Sequence, residues 1–471
     1  MKTSTIFLIE IYTSRMIIVF LGVFFLFTCE TEEEIELQSL PLPETKKGPP
    51  PTANAGVDQE INYPENSVRL DGSNSFDSIG IISYNWKGID ESDVNLTIYN
   101  GDNSFALATG LDQGTHLFEL SVMNRSKLID KDTVQVVVHG PEFCEGIERT
   151  AISAELIKIG TLSEVRDGIS IATAGGKLFF AGGWSNLKNN FSNEINVFDI
   201  SGQSWELAKL RIARGGITSV VNGNKVFFAG GAISDGWDAS FFDDIDIYDL
   251  ESKSMSFARL STDGAGMAGA AIGDKVLFAG GYNYASNIDR NRRVDIFNLT
   301  SGEWTQASLK NPKSGGHVAV SVGSKAYFAG GSESSDNIDV YDNTTDIWSS
   351  ETMYESKTNL TGILLDSKIY WASGSTKNWT KSPVVEIYDT NSSESTVTCL
   401  SQATGWHKAV LHEGKIVFIS SGILDIYNPE NGAWYYSQLP ANITEAISVN
   451  DTAYIITSEN GQMLINKLKL D

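Results

Sequence analysis

The chain has 471 residues, with 35 basic and 59 acidic side chains and a formal net charge of -24. At roughly 100 to 200 residues per domain, this length accommodates several domains, or one large repeat array with an additional module. A surface this acidic repels phosphate-rich partners, so no nucleic-acid partner is predicted. Many Asn, Ser, Gly and aromatic residues, with few helix-favouring runs, predict an almost all-β protein.

The first 29 residues form a sorting segment. Lys2 and Arg15 precede the apolar run "MIIVFLGVFFLF" (16–27), which is shorter than the ~20 residues of a membrane-spanning helix and has the size of a signal-peptide core. The run ends at "LFTC", which resembles the lipobox of bacterial lipoproteins, although Thr28 stands where Gly, Ala or Ser is usual. The resemblance implies that Cys29 is lipidated and becomes the mature N-terminus. An uncleaved anchor and ordinary secretion are the alternatives.

An acidic, Pro-rich linker follows at residues 30–49. Its opening "ETEEEIE" resembles the surface-export signals of some Gram-negative bacteria, and a solvated spacer is the alternative. We therefore expect an outer-membrane lipoprotein of the bacterial cell envelope, exposed at the surface and attached to the membrane through its lipid. A periplasmic or secreted protein is the alternative.

Residues 50–140 alternate short β-prone runs with Asn, Asp and Gly turns. The opening "ANAGVDQ", the turn "LDGSNSFD", the strand "YNW" and the closing "DTVQVVV" resemble the PKD domain, which is an immunoglobulin-like sandwich. The resemblance implies that Trp86 packs between the two sheets. Asp71 and Asp77 are interpreted as closing their own turns rather than binding a cation.

A seven-letter stretch then returns through residues 141–471. "KLFFAGG" at 177 recurs as "KVFFAGG", "KVLFAGG" and "KAYFAGG", with looser copies "KIYWASG" and "KIVFISS", and the final small residues are spaced by 48, 50, 50, 43 and 48. Each copy is followed by a strand such as "IDIYDL" and often by a Trp. This order resembles the kelch repeat, in which each unit is one four-stranded blade of a β-propeller.

A seventh unit, "AISVNDTAYIITSENGQMLINKLKLD", has three strands but no outer strand. Residues 150–163 read like the outer strand "SWELAKL" (204–210) and could complete it, which would remove exposed sheet edges. We therefore predict a seven-bladed kelch-type propeller, with six blades as the alternative.

The loops between the second and third strands are long in the first three units. They carry aromatic residues that could stack on sugar rings or pack against a partner, with the alternative that they fold onto their own loops. The candidates are Trp184, Trp237, Tyr282 and Tyr284 in these loops, with Trp379 in the fifth unit.

Basic residues enter the links between blades at Arg166, Arg214 and Lys357. They could hold a carboxylate near the channel mouth. The alternative is that they tie loops together through main-chain carbonyls.

Cys144 and Cys399 could form a disulfide bond or remain separate buried thiols. Kelch-type propellers include copper radical oxidases, which hold a metal by His and Tyr and crosslink a Tyr to a Cys. The repeat region has only His317, His407 and His412, and Cys399 falls on a predicted outer strand, so no metal and no cofactor are predicted.

The resulting hypothesis is a lipoprotein whose propeller loop face binds a glycan or an envelope or extracellular protein, with the PKD domain as a spacer. The alternative is a sugar-modifying enzyme that resembles the kelch-type sialic acid epimerase, with Arg166 and Arg214 holding a sugar carboxylate. No acid/base pair can be named for it, so a binding role is favoured over an enzymatic one.

Overall fold

Strands form nearly all the regular structure of this chain. The computed structural model describes residues 48–89, 96–234, 239–283, 290–331, 336–376, 379–405 and 407–471. Within these ranges the helices are two 3-10 turns, η1 (Glu142–Cys144) and η2 (Arg290–Arg292), and neither could cross a membrane. The all-β prediction is confirmed. The segment 1–29 with Cys29, the linker up to residue 47, Trp237 and Tyr284 lie outside the described residues.

Residues 59–139 form a sandwich of two sheets. One sheet has the order β1-β7-β6-β3 and the other β2-β5-β4. The strands are β1 (Gln59–Asn62), β2 (Ser67–Asp71), β3 (Ile81–Gly88), β4 (Thr97–Tyr99), β5 (Phe105–Thr109), β6 (Gly114–Asn124) and β7 (Ile129–His139). Alternate residues of these strands face inward, and Trp86 lies among them in the core, 4% exposed.

The two aspartates of this sandwich close turns. Asp71 Oδ1 accepts the main-chain N–H of Ser73 at 2.9 Å, and Asp77 Oδ1 accepts that of Ile79 at 2.8 Å. Hydrogen bonds from Ser73 and from Asn124, respectively, hold the pKa of each carboxyl below its usual value. Both side chains therefore make the contacts that the turn interpretation expects.

Seven larger sheets follow in chain order, each built mainly on antiparallel strands that are consecutive or nearly so in the sequence, and two small sheets lie in the loops. Sheet one contains β11 (Ser170–Ala174), β12 (Lys177–Ala181), β15 (Glu194–Asp199) and β16 (Ser204–Lys209), and sheet two contains β17 (Thr218–Asn222), β18 (Lys225–Ala229), β21 (Asp244–Asp249) and β22 (Met255–Arg259). Sheet three contains β23 (Ala268–Ile272), β24 (Lys275–Ala279), β25 (Arg293–Asn298) and β26 (Trp304–Ser308). Sheet four contains β27 (His317–Val322), β28 (Lys325–Gly330), β29 (Asn337–Asp342) and β30 (Ile347–Thr352).

Sheets five to seven continue the series. Their strands are β31 (Thr361–Leu365), β32 (Lys368–Ala372), β33 (Val384–Asp389) and β34 (Glu394–Cys399); β35 (Lys408–His412), β36 (Lys415–Ser420), β37 (Ile423–Asn428) and β38 (Ala433–Gln438); and β39 (Ile443–Val449), β40 (Thr452–Glu459) and β41 (Gln462–Leu470). Short strands in the loops are β10 (Arg166–Asp167), β13 (Trp184–Ser185), β14 (Asn190–Phe191), β19 (Ala232–Ser234) and β20 (Ala239–Phe241).

The recurring seven-letter stretch is the second strand of each of the first six sheets. These strands are buried on both faces, as in β12 and β18, because each sheet packs between two others. Each pair of consecutive sheets is joined by its own hydrophobic cluster, and a further cluster joins sheet seven to sheet one. The first strand of each sheet contacts the first strand of the next sheet, and β39 of sheet seven contacts β11 of sheet one.

Sheet seven takes its fourth strand from far upstream. β9 (Ala154–Leu162) pairs antiparallel with β41, which confirms the strand completion predicted from the sequence. Gly160 lies where a Cβ atom would be 2.8 Å from Phe198 Cζ of sheet one, so only glycine fits there without displacing that ring. The preceding β8 (Arg149–Ala151) pairs instead with β38, as a fifth, parallel strand of sheet six.

The repeated tryptophans pack on aromatic residues of the third strands. The ring centroids of Trp205 and Phe198 are 4.9 Å apart, and those of Trp348 and Tyr341 are 5.2 Å apart. Sheets three and six contain the same arrangement. These ring contacts stabilise the four sheets that contain them.

The sandwich rests against sheet five. Asp112 pairs with Lys381, Thr380 Oγ1 donates to the Pro64 carbonyl at 3.4 Å, and the Tyr63 hydroxyl donates to Glu355. Gly48–Asp471 form one compact unit. These contacts hold the sandwich against a sheet of the repeat region, and the spacer role predicted for it stays a prediction.

Candidate functional site

The basic residues of the inter-sheet links are buried beneath the loops. Arg166 donates to the Gly182 carbonyl at 2.8 Å and to Ser192 Oγ at 3.1 Å. Arg214 donates to the Gly230 carbonyl at 2.6 Å, and Lys357 to the Val384 carbonyl at 2.7 Å. Their side chains are 0 to 1% exposed.

Each cation also faces a polar side chain on the third strand of its sheet. Arg214 Nη2 is 2.7 Å from Asp246 Oδ2, and both side chains are fully buried. Burial lowers the pKa of the Arg214 guanidinium, and Asp246 opposes that shift. The same third-strand position is polar in all seven sheets: Asn196, Asp246, Asp295, Asp339, Glu386, Asp425 and Asn466.

These third-strand acids also bind the chain as it leaves the preceding sheet. Asp246 Oδ1 accepts the N–H of Arg211 at 2.8 Å, and Asp339 Oδ1 accepts that of Lys310 at 2.7 Å. The contacts match the alternative in which the basic residues tie loops together through carbonyls. A ligand carboxylate could reach Arg166, Arg214 or Lys357 only if the cation left these partners. The same condition holds for the sugar carboxylate of the enzymatic alternative.

One member of this series was missed from the sequence. Lys313 occupies the cation position of sheet four, with Nζ 3.0 Å from the Gly330 carbonyl and 3.6 Å from Asp339 Oδ2. Burial lowers the pKa of Lys313 and raises that of Asp339. When the repeats are aligned on the sequence, Ser314 rather than Lys313 falls at this position, because the link "KSGG" carries one residue more than "RGG" before its second glycine.

The described aromatic candidates do not form one cluster. Trp184 is half-buried, donates Nε1–H to Asn186 at 3.0 Å and packs edge-to-face on Phe191 of its own loop. Tyr282 is 49% exposed and packs on Phe241 of the preceding sheet's loop. Trp379 is 68% exposed. No ring contact between described residues joins Trp184, Tyr282 and Trp379 to one another, so a role for them in ligand binding stays a prediction.

A cavity of about 820 Å³ lies at the starts of the first strands of sheets four to seven. We call it the first-strand cavity. Its polar lining consists mainly of hydroxyl, amide and imidazole groups, including Asn359, Thr404, His407, Ser420, Asn442 and Thr444. Lys408 also lines it, but its ammonium group pairs with Glu445 at 2.6 Å. The turn after β36 is short, since β37 begins at Ile423.

His407 belongs to a buried hydrogen-bonded group beside the cavity. Its Nδ1 is 2.8 Å from Ser373 Oγ and 2.9 Å from Thr404 Oγ1, and Ser373 also donates to the Thr404 carbonyl at 2.7 Å. Burial lowers the pKa of His407 to about 4, so the ring is neutral at pH 7. Ser373 has φ of 63°, where the first four copies of the repeat place glycine, so a residue with a hydroxyl replaces one that adopts this conformation at little cost.

His317 lies at the corresponding start of sheet four. Its Nε2 is 2.8 Å from the Ala279 carbonyl, and burial lowers its pKa to about 4 as well. Sheets three and five carry Met267 and Leu360 at this position. Within the described residues no group of three or more His, Cys, Asp or Glu side chains could hold a metal ion.

A second concavity lies where the sandwich meets sheet five. It has a volume of about 380 Å³ and includes Tyr63, Phe143 and Tyr354. Beside it, a disulfide bond joins Cys144 to Cys399, at the end of β34, with the two Cα atoms 5.4 Å apart. Arg149 follows this bridge and donates to the Cys399 carbonyl at 2.7 Å.

The two-sheet sandwich with a tryptophan between its sheets defines an immunoglobulin-like domain. Residues 55–138 match the family model for the PKD domain of KIAA0319-like proteins, so this part of the chain is a PKD domain. The resemblance seen in the sequence is confirmed there. The boundary of the repeat region at residue 141 stays a prediction.

Several known proteins are similar over this domain. A mouse "Dyslexia-associated protein KIAA0319-like protein" is 38% identical over 96 residues, which is 20% of this chain and 9% of the relative. The human "Dyslexia-associated protein KIAA0319" is 38% identical over 89 residues, covering 19% and 8%. The human "Low-density lipoprotein receptor-related protein 11" is 29% identical over 96 residues, covering 20% and 19%. The chain thus spans less than a tenth of the first two relatives.

Proposed function

We propose that the seven sheets are the blades of a kelch-type β-propeller and that its first-strand cavity binds a glycan. In this proposal the protein is a cell-envelope lipoprotein, anchored through Cys29 and presented at the outer surface. The observation that carries the binding role is the cavity of about 820 Å³ at the starts of four first strands, with hydroxyl and amide groups in its lining.

The packing of the sheets supports the propeller. Leu162, Leu178 and Phe180 share a hydrophobic cluster with Ile456 and Ile465, which joins the last sheet to the first. β9 removes the free edge that β41 would otherwise present. Radial repetition with short, protected edges is how antiparallel sheets form a propeller.

The chemistry of the cavity supports a neutral, hydroxyl-bearing ligand. Asn359, Asn442, Thr404 and Thr444 offer amide and hydroxyl groups, which can donate to and accept from sugar hydroxyls. Lys408 is paired with Glu445, so the described residues of the lining hold no unpaired charge there. The volume falls within the ~300–1,000 Å³ of small-molecule sites, and a concave site favours a sugar chain over a flat protein surface.

A bulky substitution at the cavity wall tests this role. Gly405 lines the cavity, and a Cβ atom there would make ordinary contacts with Ser375 Oγ at 3.5 Å and Lys381 Cγ at 3.8 Å. Gly405→Tyr therefore places a large side chain at the cavity wall without backbone strain. Gly264, in the link into sheet three and outside the lining of the cavity, is the control, because a Cβ atom there also has ordinary contacts, the nearest at 3.5 Å.

The full chain and both variants are screened against a glycan array and against envelope proteins. We expect glycan binding by the full chain and by Gly264→Tyr, and its loss in Gly405→Tyr. Glycan binding that survives Gly405→Tyr, or binding of envelope proteins alone, would contradict the cavity as a glycan site. A chain made with Cys29→Ser and found in the membrane fraction with an unchanged mass would contradict the lipid anchor.

A further inference from the structure

We propose that the concavity between the PKD domain and sheet five binds an alkylammonium cation. We call this concavity the seam pocket. Tyr63 comes from the PKD domain, Glu142 and Phe143 from η1 in the segment after it, and Tyr354 and Glu355 from the link into sheet five. The pocket is separate from the first-strand cavity, so the two proposals stand independently.

The aromatic residues of the seam pocket are arranged to receive a cation. The rings of Phe143 and Tyr354 are perpendicular, with an interplanar angle of 88° and centroids 5.9 Å apart. Their side chains remain 40% and 58% exposed, so the pair is not sealed in a core. Aromatic faces that meet at an angle attract ammonium groups through their negative quadrupole.

The carboxylates at the pocket have the complementary charge. Glu355 accepts hydrogen bonds from the Tyr63 hydroxyl and, at 2.5 Å, from Ser382 Oγ. Burial, followed by the nearby Glu355, raises the pKa of Tyr63 far above its usual value, so the phenol stays a neutral donor. Glu142 is exposed in the first turn of η1 and adds a second carboxylate.

The ammonium group of Lys357 faces the seam pocket and is already bound by protein groups. Lys357 Nζ lies 3.5 Å from Glu355 Oε2 but donates to the Val384 carbonyl at 2.7 Å, and burial lowers its pKa. The neighbouring Glu386 accepts the N–H of Tyr354 at 2.9 Å. Carboxylates therefore outnumber ammonium groups around the pocket, on a chain whose net charge is -24.

The seam pocket is held in shape before any ligand arrives. Its walls come from three segments far apart in the sequence, and the Cys144–Cys399 disulfide fixes the segment that carries Phe143. Asp112 and Lys381 pair across the same contact. Such preorganisation lowers the entropic cost of binding a small ligand. The volume of about 380 Å³ suits a group the size of a methylated amine.

The cation could belong to a free small molecule or to a methylated lysine of another protein. The test uses choline, N-acetyl-trimethyllysine amide and 3,3-dimethyl-1-butanol, the uncharged analogue of choline. Each compound is titrated into the full chain by isothermal calorimetry. We expect choline to bind about 5- to 30-fold more tightly than the butanol, because the uncharged analogue cannot make the desolvated cation–π contact. Tighter binding of the lysine derivative than of choline would identify a protein as the source.

Variants assign the binding to the seam pocket. Tyr354→Ala and Phe143→Ala should each weaken choline binding about 5- to 30-fold, and Glu142→Gln, at an exposed position, should weaken it with the fold unchanged. Tyr99→Ala, at an exposed tyrosine of the PKD domain (56%), is the control and should bind normally. Equal affinity for choline and its uncharged analogue, no saturable choline binding, or an equal loss in Tyr99→Ala would overturn the proposal.

Discussion

Replacing Arg214 by methionine is expected to destabilise the folded chain by about 3–5 kcal/mol, the cost of breaking a buried ion pair. The side chains of Arg214 and Asp246 are both fully buried and 2.7 Å apart. The substitution leaves Asp246 charged without its partner. It also removes the donors that satisfy the Gly230 carbonyl at 2.6 Å and the Ile212 carbonyl at 2.9 Å. The expected loss of stability does not depend on any role of Arg214 in binding a sugar.

The assay is urea unfolding followed by tryptophan fluorescence and circular dichroism. Asp246→Asn in the Arg214→Met background should recover part of the lost free energy, because it removes the unpaired charge. Arg259→Met is the matched control: this arginine pairs with Asp243 at 3.1 Å but is 65% exposed, so its loss should cost less than about 1 kcal/mol. An Arg214→Met chain as stable as the control would refute the reasoning, and one that folds normally but loses turnover of an acidic sugar would favour the enzymatic alternative.

Two further outcomes are expected. Replacing Cys144 and Cys399 together by serine should lower the free energy of unfolding by about 5 kcal/mol in the chain-entropy model for a separation of 255 residues, and a reductant should shift the urea midpoint of the parent but not of the variant. The pKa of His407 is about 4 when folded against ~6.5 when unfolded, so its contribution to stability is complete above pH ~6.5 and declines as the pH falls towards 4. His407→Leu should flatten the dependence of the urea midpoint on pH over this interval, and an unchanged dependence would show that His407 does not cause it.

The repeated elements could be predicted because their information is local. A buried aromatic strand closed by small residues marks the second strand of six sheets, and the likeness of residues 150–163 to "SWELAKL" correctly indicated a distant fourth strand for sheet seven. The PKD domain was equally visible from its turn motifs. In each case the pattern of a short segment determines the element that it forms.

The sites could not be predicted in this way, because they depend on where side chains point after assembly. The sequence placed Arg166 and Arg214 in the correct links but could not show that their guanidinium groups turn inward to main-chain carbonyls. The first-strand cavity draws its walls from four sheets, and the seam pocket from three distant segments. One signal for the first-strand cavity was present in the sequence. In "KIYWASG", Ser373 replaces a glycine of the repeat, and this serine is the residue of sheet five that hydrogen-bonds to His407 beside the cavity.

The pairing of β9 with β41 has a consequence for biogenesis. About 300 residues separate these partners, and contacts so distant in sequence form late. During synthesis, β9 emerges long before β41 and presents an unpaired edge throughout that interval. We therefore expect the nascent chain to be most prone to aggregation before its last strand arrives.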